Sequence, residues 1–278
     1  MSQIEPLTEA SANINSVKQE KNHRPTALWQ RIALGAILLV SAFLNFFQLG
    51  QNHYGDITTS VSGFYASAVK SMAMSWHNFF FVAFDPAGFL AIDKPPLGFW
   101  IQTLSVRIFG FSEWSLLLPE ALAGLGSVAI LYLLVRRVFG PHAGLIAAFA
   151  LALTPISVAI SRNNAVDSLL VLTLLFAAWT LSLAVERGSE RWLLLCALLV
   201  GLGFNIKMLE AYLVLPAFAL TYLLCAPRSL RVRLLHLVLA GLVLLVISGS
   251  WITVVDLIPA GQRPYVSSTQ HNSELELA

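Results

Sequence analysis

From residue 28 to residue 257 the chain is a succession of apolar runs separated by short polar breaks. Runs of about 20 residues predict helices that cross a bilayer, and the two-residue alternation of a barrel strand is missing. The pattern predicts seven spans, at 28–49, 114–135, 143–160, 168–185, 192–206, 211–226 and 234–257. The stretch 192–226 is too long for one helix. Gly201, Gly203, Asn205, Lys207 and Glu210 at its middle predict a tight polar turn between two short spans. Between the first two spans lies the largest polar segment, 50–113. There Val61, Phe64, Tyr65, Ala68, Met72 and Trp76 recur at helical spacing, with Ser60, Ser67, Lys70, Ser71 and Asn78 elsewhere around the wheel. This predicts a helix lying in the membrane interface. A second short helix is expected at 97–109, after Pro96. The loop joining the two carries Asp85-Pro86 and Asp93-Lys94-Pro95-Pro96, and the pair would roof a groove at lipid level.

Composition narrows the class. The chain is 57% hydrophobic and 12% charged, with a mean hydropathy of +0.73. A soluble domain carries about 25% charged residues, so this is an all-α polytopic membrane protein, its backbone satisfied within helices. Cys196 and Cys225 lie in apolar runs and read as packing residues. No Cys/His ligand spacing, P-loop or dinucleotide fingerprint is present, so no metal, cofactor or nucleic-acid partner is expected.

Charge supplies the orientation. Residues 1–27, with Lys18, Lys21 and Arg24, read as a disordered cytoplasmic tail. With that tail inside, eleven cations fall on inner segments: Lys18, Lys21, Arg24, Arg31, Arg136, Arg137, Arg187, Arg191, Arg228, Arg231 and Arg233. Six fall on outer ones: Lys70, Lys94, Arg107, Arg162, Lys207 and Arg263. The excess agrees with the positive-inside bias. Asp56, Asp85, Asp93, Glu113, Asp167, Glu210 and Asp256 also gather at the outer face. Chemistry there, outside a plasma (inner) membrane, has no ATP or nucleotide sugar to draw on, so it needs an energised substrate already carried across.

Two prolines lock the charges of Asp93-Lys94-Pro95-Pro96 in an extended turn, which suits a fixed carboxylate and ammonium where the protein meets water. The run Gly63-Phe64-Tyr65-Ala66-Ser67-Ala68-Val69-Lys70-Ser71-Met72, followed by Asp93-Lys94-Pro95-Pro96-Leu97-Gly98-Phe99-Trp100, resembles the first external loop of the protein mannosyltransferase and aminoarabinose transferase superfamily. These are GT-C-fold transferases of glycosyltransferase family 39. Phe111-Ser112-Glu113-Trp114-Ser115-Leu116-Leu117-Leu118-Pro119, Phe204-Asn205-Ile206-Lys207-Met208-Leu209 and Arg263-Pro264-Tyr265 resemble its bacterial membrane branch. The resemblance implies inverting transfer of a sugar, mannose or a related hexose or pentose, from a polyprenyl-phosphate carrier. The acceptor is a hydroxyl on a lipid, glycan or protein at the extracytoplasmic face. A carboxylate takes the acceptor proton while cations hold the departing lipid phosphate. Two departures stand out. The Asp-Glu pair that often precedes the helix tyrosine is replaced here by Val61 and Ser62. Family members also continue beyond a seventh span, whereas this chain reads as a transmembrane domain, 28–257, followed by the start of an external loop, 258–278, cut short.

The candidate set follows. Asp93 and Asp56 are the acids that could serve as base. Lys94 is assigned to the phosphate, with Lys207, Glu210, Asp167, Tyr65 and Arg263 as further substrate-binding residues. Each has a plain alternative. Asp93-Lys94 as an exposed pair would merely orient a turn; Lys207 and Glu210 could be a helix pair three apart; Asp85 starts a turn. Arg162, Asn163, Asn164 and Asp167 suggest a helix cap supplied by Asn163 or Asn164. Glu120, two turns into a span, is a costly placement for an ionisable group. Two further readings compete: a transporter or lipid flippase, disfavoured because charges crowd the interface rather than the midplane, and an inactive fragment of the transferase.

Overall fold

The structure, a computed structural model, describes residues 28–50 and 61–278; Asp56 and the tail lie outside them. Helix α1 (Leu28–Phe46) is followed by a short hairpin of helices, α2 (Val61–Met74) and α3 (Trp76–Phe80), then strand β1 (Leu90–Ala91) and helix α4 (Pro96–Phe109). The long helices come next: α5 (Glu113–Phe139), α6 (Pro141–Leu153), α7 (Pro155–Ser161), α8 (Asp167–Arg187) and α9 (Glu190–Lys207). A 3₁₀ segment, Met208–Val214, leads into α10 (Leu215–Cys225) and α11 (Leu230–Leu257). The chain closes with strand β2 (Tyr265–Val266) and the single turn α12 (Glu274–Leu277).

Local chemistry explains the breaks. Pro155 forces Thr154 into an extended conformation (ψ 115°), and α6 and α7 meet at 63°, where an unbroken span was expected. Pro119 inside α5 has no N–H to give the Ser115 carbonyl, and Ser105 Oγ donates to that carbonyl instead at 2.5 Å. The expected interfacial helix at 61–76 breaks at Ser75, whose hydroxyl caps α3 by accepting from Asn78 N at 3.0 Å. The turn predicted near Lys207 is made by Met208, a non-glycine residue at φ 41°, ψ −130°.

Five helical stretches among the described residues are long and apolar enough to cross a membrane, and the bent α6–α7 pair makes a sixth. One of the five, Glu190–Cys225, doubles back on itself. Arg228 Nε, beyond its end, donates to the Gly188 carbonyl, just before its start, at 2.9 Å. Tyr222 and Ala226 pack in one core with Leu193, Cys196 and Ala197. Helix α9 and the segment 208–225 are therefore antiparallel neighbours. Leu39, Phe43, Leu220 and Leu245 point outward, as lipid-facing side chains would.

The two ends of the bundle differ in what holds them. At one end Arg162 Nη1 donates to the carbonyls of Leu44 and Phe47, both at 2.8 Å, closing α1. A second core there joins Tyr65, Val69 and Met72 of α2 to Phe99, Val166, Phe204 and Trp251. At the other end Arg137 pairs with Glu186, and Trp29 meets His142 at 5.2 Å between ring centroids.

Candidate active site

The segment before α4 is built to be rigid. Pro95 is extended (φ −68°, ψ 161°) and Pro96 is the first helical residue, so neither needs a donor it lacks. Asp85 ties the preceding loop, accepting from Ala87 N at 3.0 Å, Phe89 N at 2.9 Å and Leu90 N at 2.8 Å, which is the turn role expected of it. Trp100 Nε1 donates to Phe79 O at 2.6 Å and Trp251 Nε1 to Phe80 O at 3.0 Å, clamping α3 between α4 and α11. Held this way, Asp93 and Lys94 form an ion pair, Oδ2 to Nζ 2.8 Å, and Tyr65 Oη donates to Asp93 Oδ1 at 3.4 Å. Burial, then the Asp93 charge, raises the Tyr65 phenol above its usual value, so it remains a donor at neutral pH. Burial pulls the Lys94 ammonium down, but the Asp93 hydrogen bond and the Tyr65 and Asp93 oxygens outweigh it. Lys94 is therefore held above the ordinary lysine value and stays charged.

The second half comes from the opposite side of the sequence. Lys207, last residue of α9, reaches Asp167 Oδ1 at 2.5 Å and Glu210 Oε2 at 3.0 Å. Asp167 opens α8. Both halves face one cavity of about 220 Å³, lined by Asp93, Lys94, Pro95, Lys207, Met208, Leu209 and Glu210, with Leu277 and Ala278 as its last wall. Each ammonium has three N–H groups. Lys94 gives two to the carboxylate and carbonyl of Asp93 and also bonds the Tyr65 oxygen, whereas Lys207 gives two, to Asp167 and Glu210. Lys207 thus keeps one donor for an anion entering the cavity, and Lys94 can offer an anion the donor it shares with Tyr65.

Of the eight candidates, Asp93, Lys94, Lys207 and Glu210 line the cavity, and Tyr65 and Asp167 support it through Asp93 and Lys207. Asp56 lies outside the described residues. Arg263 was expected beside a lipid phosphate and sits elsewhere. Its Nη1 donates to Asp256 Oδ1 at 2.6 Å and Val255 O at 2.8 Å, and Nη2 to Asn272 O at 2.6 Å. Asp256 in turn accepts from Ser273 Oγ at 2.7 Å and Glu274 N at 2.9 Å. This hub folds the last twenty residues back on α11. Strand β2 then pairs in parallel with β1, and Ser267 Oγ donates to Ala91 O at 2.5 Å, delivering Leu277 and Ala278 to the cavity. Two-residue strands leave no periodic trace, so sequence reasoning missed this wall.

The cap expected from Asn163 or Asn164 is also different. The N-cap position of α8 falls on Val166, in the left-handed region (φ 55°), with no side-chain acceptor. Glu120, from α5, supplies one instead: its Oε2 accepts from Leu169 N at 3.3 Å. Among the described residues, no group of three or more His, Cys, Asp or Glu side chains is arranged to hold a metal ion.

The profile described as dolichyl-phosphate-mannose-protein mannosyltransferase matches residues 93–252, which begins at the cavity aspartate. Two Bacillus subtilis (strain 168) proteins are similar over most of the chain. One, named "Putative mannosyltransferase YkcB", is 49% identical over 247 residues, covering 89% of this chain and 34% of its own length. The other, "Putative mannosyltransferase YycA", is 48% identical over 246 residues, covering 88% and 35%. The chain thus spans about a third of the length of the curated relatives it matches. Crystal structures of ArnT from Cupriavidus metallidurans, in the apo state and bound to undecaprenyl phosphate, share the fold. Each has a TM-score of 0.59 at 24% identity, covering 81% and 84% of this chain and 41% and 42% of theirs.

Proposed function

The chain belongs to the dolichyl-phosphate-mannose-protein mannosyltransferase family, with an all-α polytopic GT-C fold, and from that premise we propose that it carries the donor site of a polyprenyl-phosphate-sugar glycosyltransferase. The observation that carries the reading is the meeting of Lys94 and Lys207, from distant parts of the sequence, at one cavity beside three carboxylates. A carrier lipid's phosphodiester enters this cavity and takes hydrogen bonds from both ammoniums. The acceptor oxygen attacks the sugar's anomeric carbon as the bond from that carbon to the phosphate oxygen breaks. The configuration inverts, the acceptor proton passes to Asp93, and the lipid leaves as polyprenyl phosphate. Tyr65 orients the Asp93 carboxylate; Asp167 and Glu210 hold Lys207 in place. Asp56 is the alternative base.

Names of the Bacillus relatives support a mannosyl or related hexosyl donor, and the ligand in the second ArnT crystal structure supports a polyprenyl-phosphate carrier. The transferred group is a hexose or pentose, and the acceptor a lipid, glycan or protein hydroxyl. The cavity end faces outward from a plasma (inner) membrane and the N-terminus inward, a sidedness supported by the arginines gathered at the opposite end. Residues 28–257 form the transmembrane transferase domain and 258–278 pack on its outer end. In membranes holding the full-length protein, Lys94→Ala should reduce transfer from a radiolabelled polyprenyl-phosphate sugar by about 100-fold or more while insertion is unchanged. Turnover at the wild-type rate would refute the assignment.

A further inference from the structure

Glu120 lies wholly within the bundle, with 0% of its surface exposed, and the partners seen for it among the described residues include no ion pair. Its partners are neutral donors from two other elements. Oε1 accepts from Gln102 Nε2 of α4 at 3.2 Å, and Oε2 from the Leu169 backbone N of α8 at 3.3 Å; the Ser168 amide donates to the same carboxylate. The first amides of a helix have no partner inside it, and Val166 offers none, so α5 lends α8 its cap. A carboxyl group suits this post because its two oxygens can accept from donors arriving in two directions.

The consequence reaches the cavity. Helix α4 begins at Pro96, two residues after Lys94, and α8 begins at Asp167, which grips Lys207. The two elements also touch directly: a Cβ on Gly98 would lie 2.6 Å from Val166 Cγ1, so only glycine allows the approach. We propose that Glu120 is a positioning residue that sets the Asp93–Lys94 half of the cavity against the Asp167–Lys207 half. This rests on the reading of the cavity as the donor-phosphate site. Shifting one ammonium by about 1 Å relative to the other is enough to cost on the order of 100-fold in a positioned reaction.

The test uses the full-length protein in lipid nanodiscs and three readouts: amide hydrogen exchange at 168–169, donor KM and kcat, and acceptor KM. Glu120→Gln turns an NH₂ group towards either Leu169 N–H or Gln102 Nε2. Exchange at those amides should rise about tenfold or more as the capping acceptor is displaced. Donor KM should rise about 10-fold to 100-fold with acceptor KM unmoved. The reciprocal swap, Glu120→Gln with Gln102→Glu, keeps one carboxylate and one amide. The introduced amide oxygen accepts from Leu169 while its NH₂ donates to the introduced carboxylate. Both readouts should then return to within about threefold of wild type, the mark of two coupled residues. Unchanged exchange in Glu120→Gln, or raised exchange with wild-type donor KM, overturns the inference. If Lys94→Ala and Lys207→Ala lose donor binding and Glu120→Gln does not, the inference falls alone. If those two are silent as well, the donor-site reading fails and takes the positioning role with it.

Discussion

The bundle has a polar cavity at each end, and the larger is the less specialised. That cavity, of about 450 Å³, is lined by Gly188, Ser189, Glu190, Arg191, Arg228, Val232 and His236. Its contacts are those of a helix rim: Arg228 satisfies the Gly188 carbonyl, His236 Nε2 meets Glu190 at 3.5 Å, and Tyr222 Oη bonds His236 Nδ1 at 2.7 Å. Nearby, Arg187 stacks on Trp192 at 5.6 Å and Arg233 Nη1 donates to Leu223 O at 2.6 Å. Cations there close helix ends or face water. At the cavity of about 220 Å³ they are instead half-buried against carboxylates, Lys94 on its neighbour Asp93 and Lys207 on Asp167, forty residues away in another helix. Volume does not distinguish the two ends. Charges held in place by several elements at once do.

Substitutions at the two ends should separate them sharply. The largest effect is expected at Asp93→Asn, which removes the proposed proton acceptor: transfer falls by about 100-fold to 10,000-fold. Lys207→Ala follows at about 100-fold, read as donor KM and kcat in the same membranes. Arg137→Ala at the far end leaves transfer at the wild-type level, since an exposed pair contributes about 0–1 kcal/mol to stability. Equal losses at both ends would erase the distinction.

Arg263→Ala tests the cavity's terminal wall rather than its chemistry. Removing the guanidinium, 7% exposed, leaves Asp256 without its cation and should cost the fold of residues 258–278 about 3 kcal/mol. Limited proteolysis would then cut that segment while α11 stays intact; an uncut segment would contradict the hub. The smallest effect is a pH dependence at Glu274. Burial first, and then the Asp256 charge, push its carboxyl up to about 8, against a partial offset from Arg263. The folded segment therefore holds a proton that an unfolded glutamate, near 4.5, releases. Its stability is full below that value and declines as pH rises through about 8. Hydrogen exchange at 265–278 should be slower at pH 6 than at pH 9 after correction for intrinsic rates, and Glu274→Gln should remove the difference.

Much of this was legible in the residues. The apolar runs marked the helices, and Asp93-Lys94-Pro95-Pro96 announced a fixed charged turn because two prolines leave the backbone little freedom. Lys207 and Glu210 were visible as polar residues in a long apolar stretch. What escaped was pairing over distance. Arg263 and Asp256 are seven apart across a chain reversal, and β1 and β2 are two residues each. Glu120 could be read as costly, but not as the cap of another helix, because the groups it caps are backbone amides that any residue carries.

In the proposed donor site a lipid phosphate binds between Lys94 and Lys207. A polyprenyl phosphate bearing a diazirine beside its phosphate, photolysed with the full-length protein in membranes and mapped by mass spectrometry, tests it most directly. Label on peptides containing 93–95 and 207–210, competed by unmodified polyprenyl phosphate, is the predicted result. Label confined to 188–191 and 228–236 at the opposite end would contradict it.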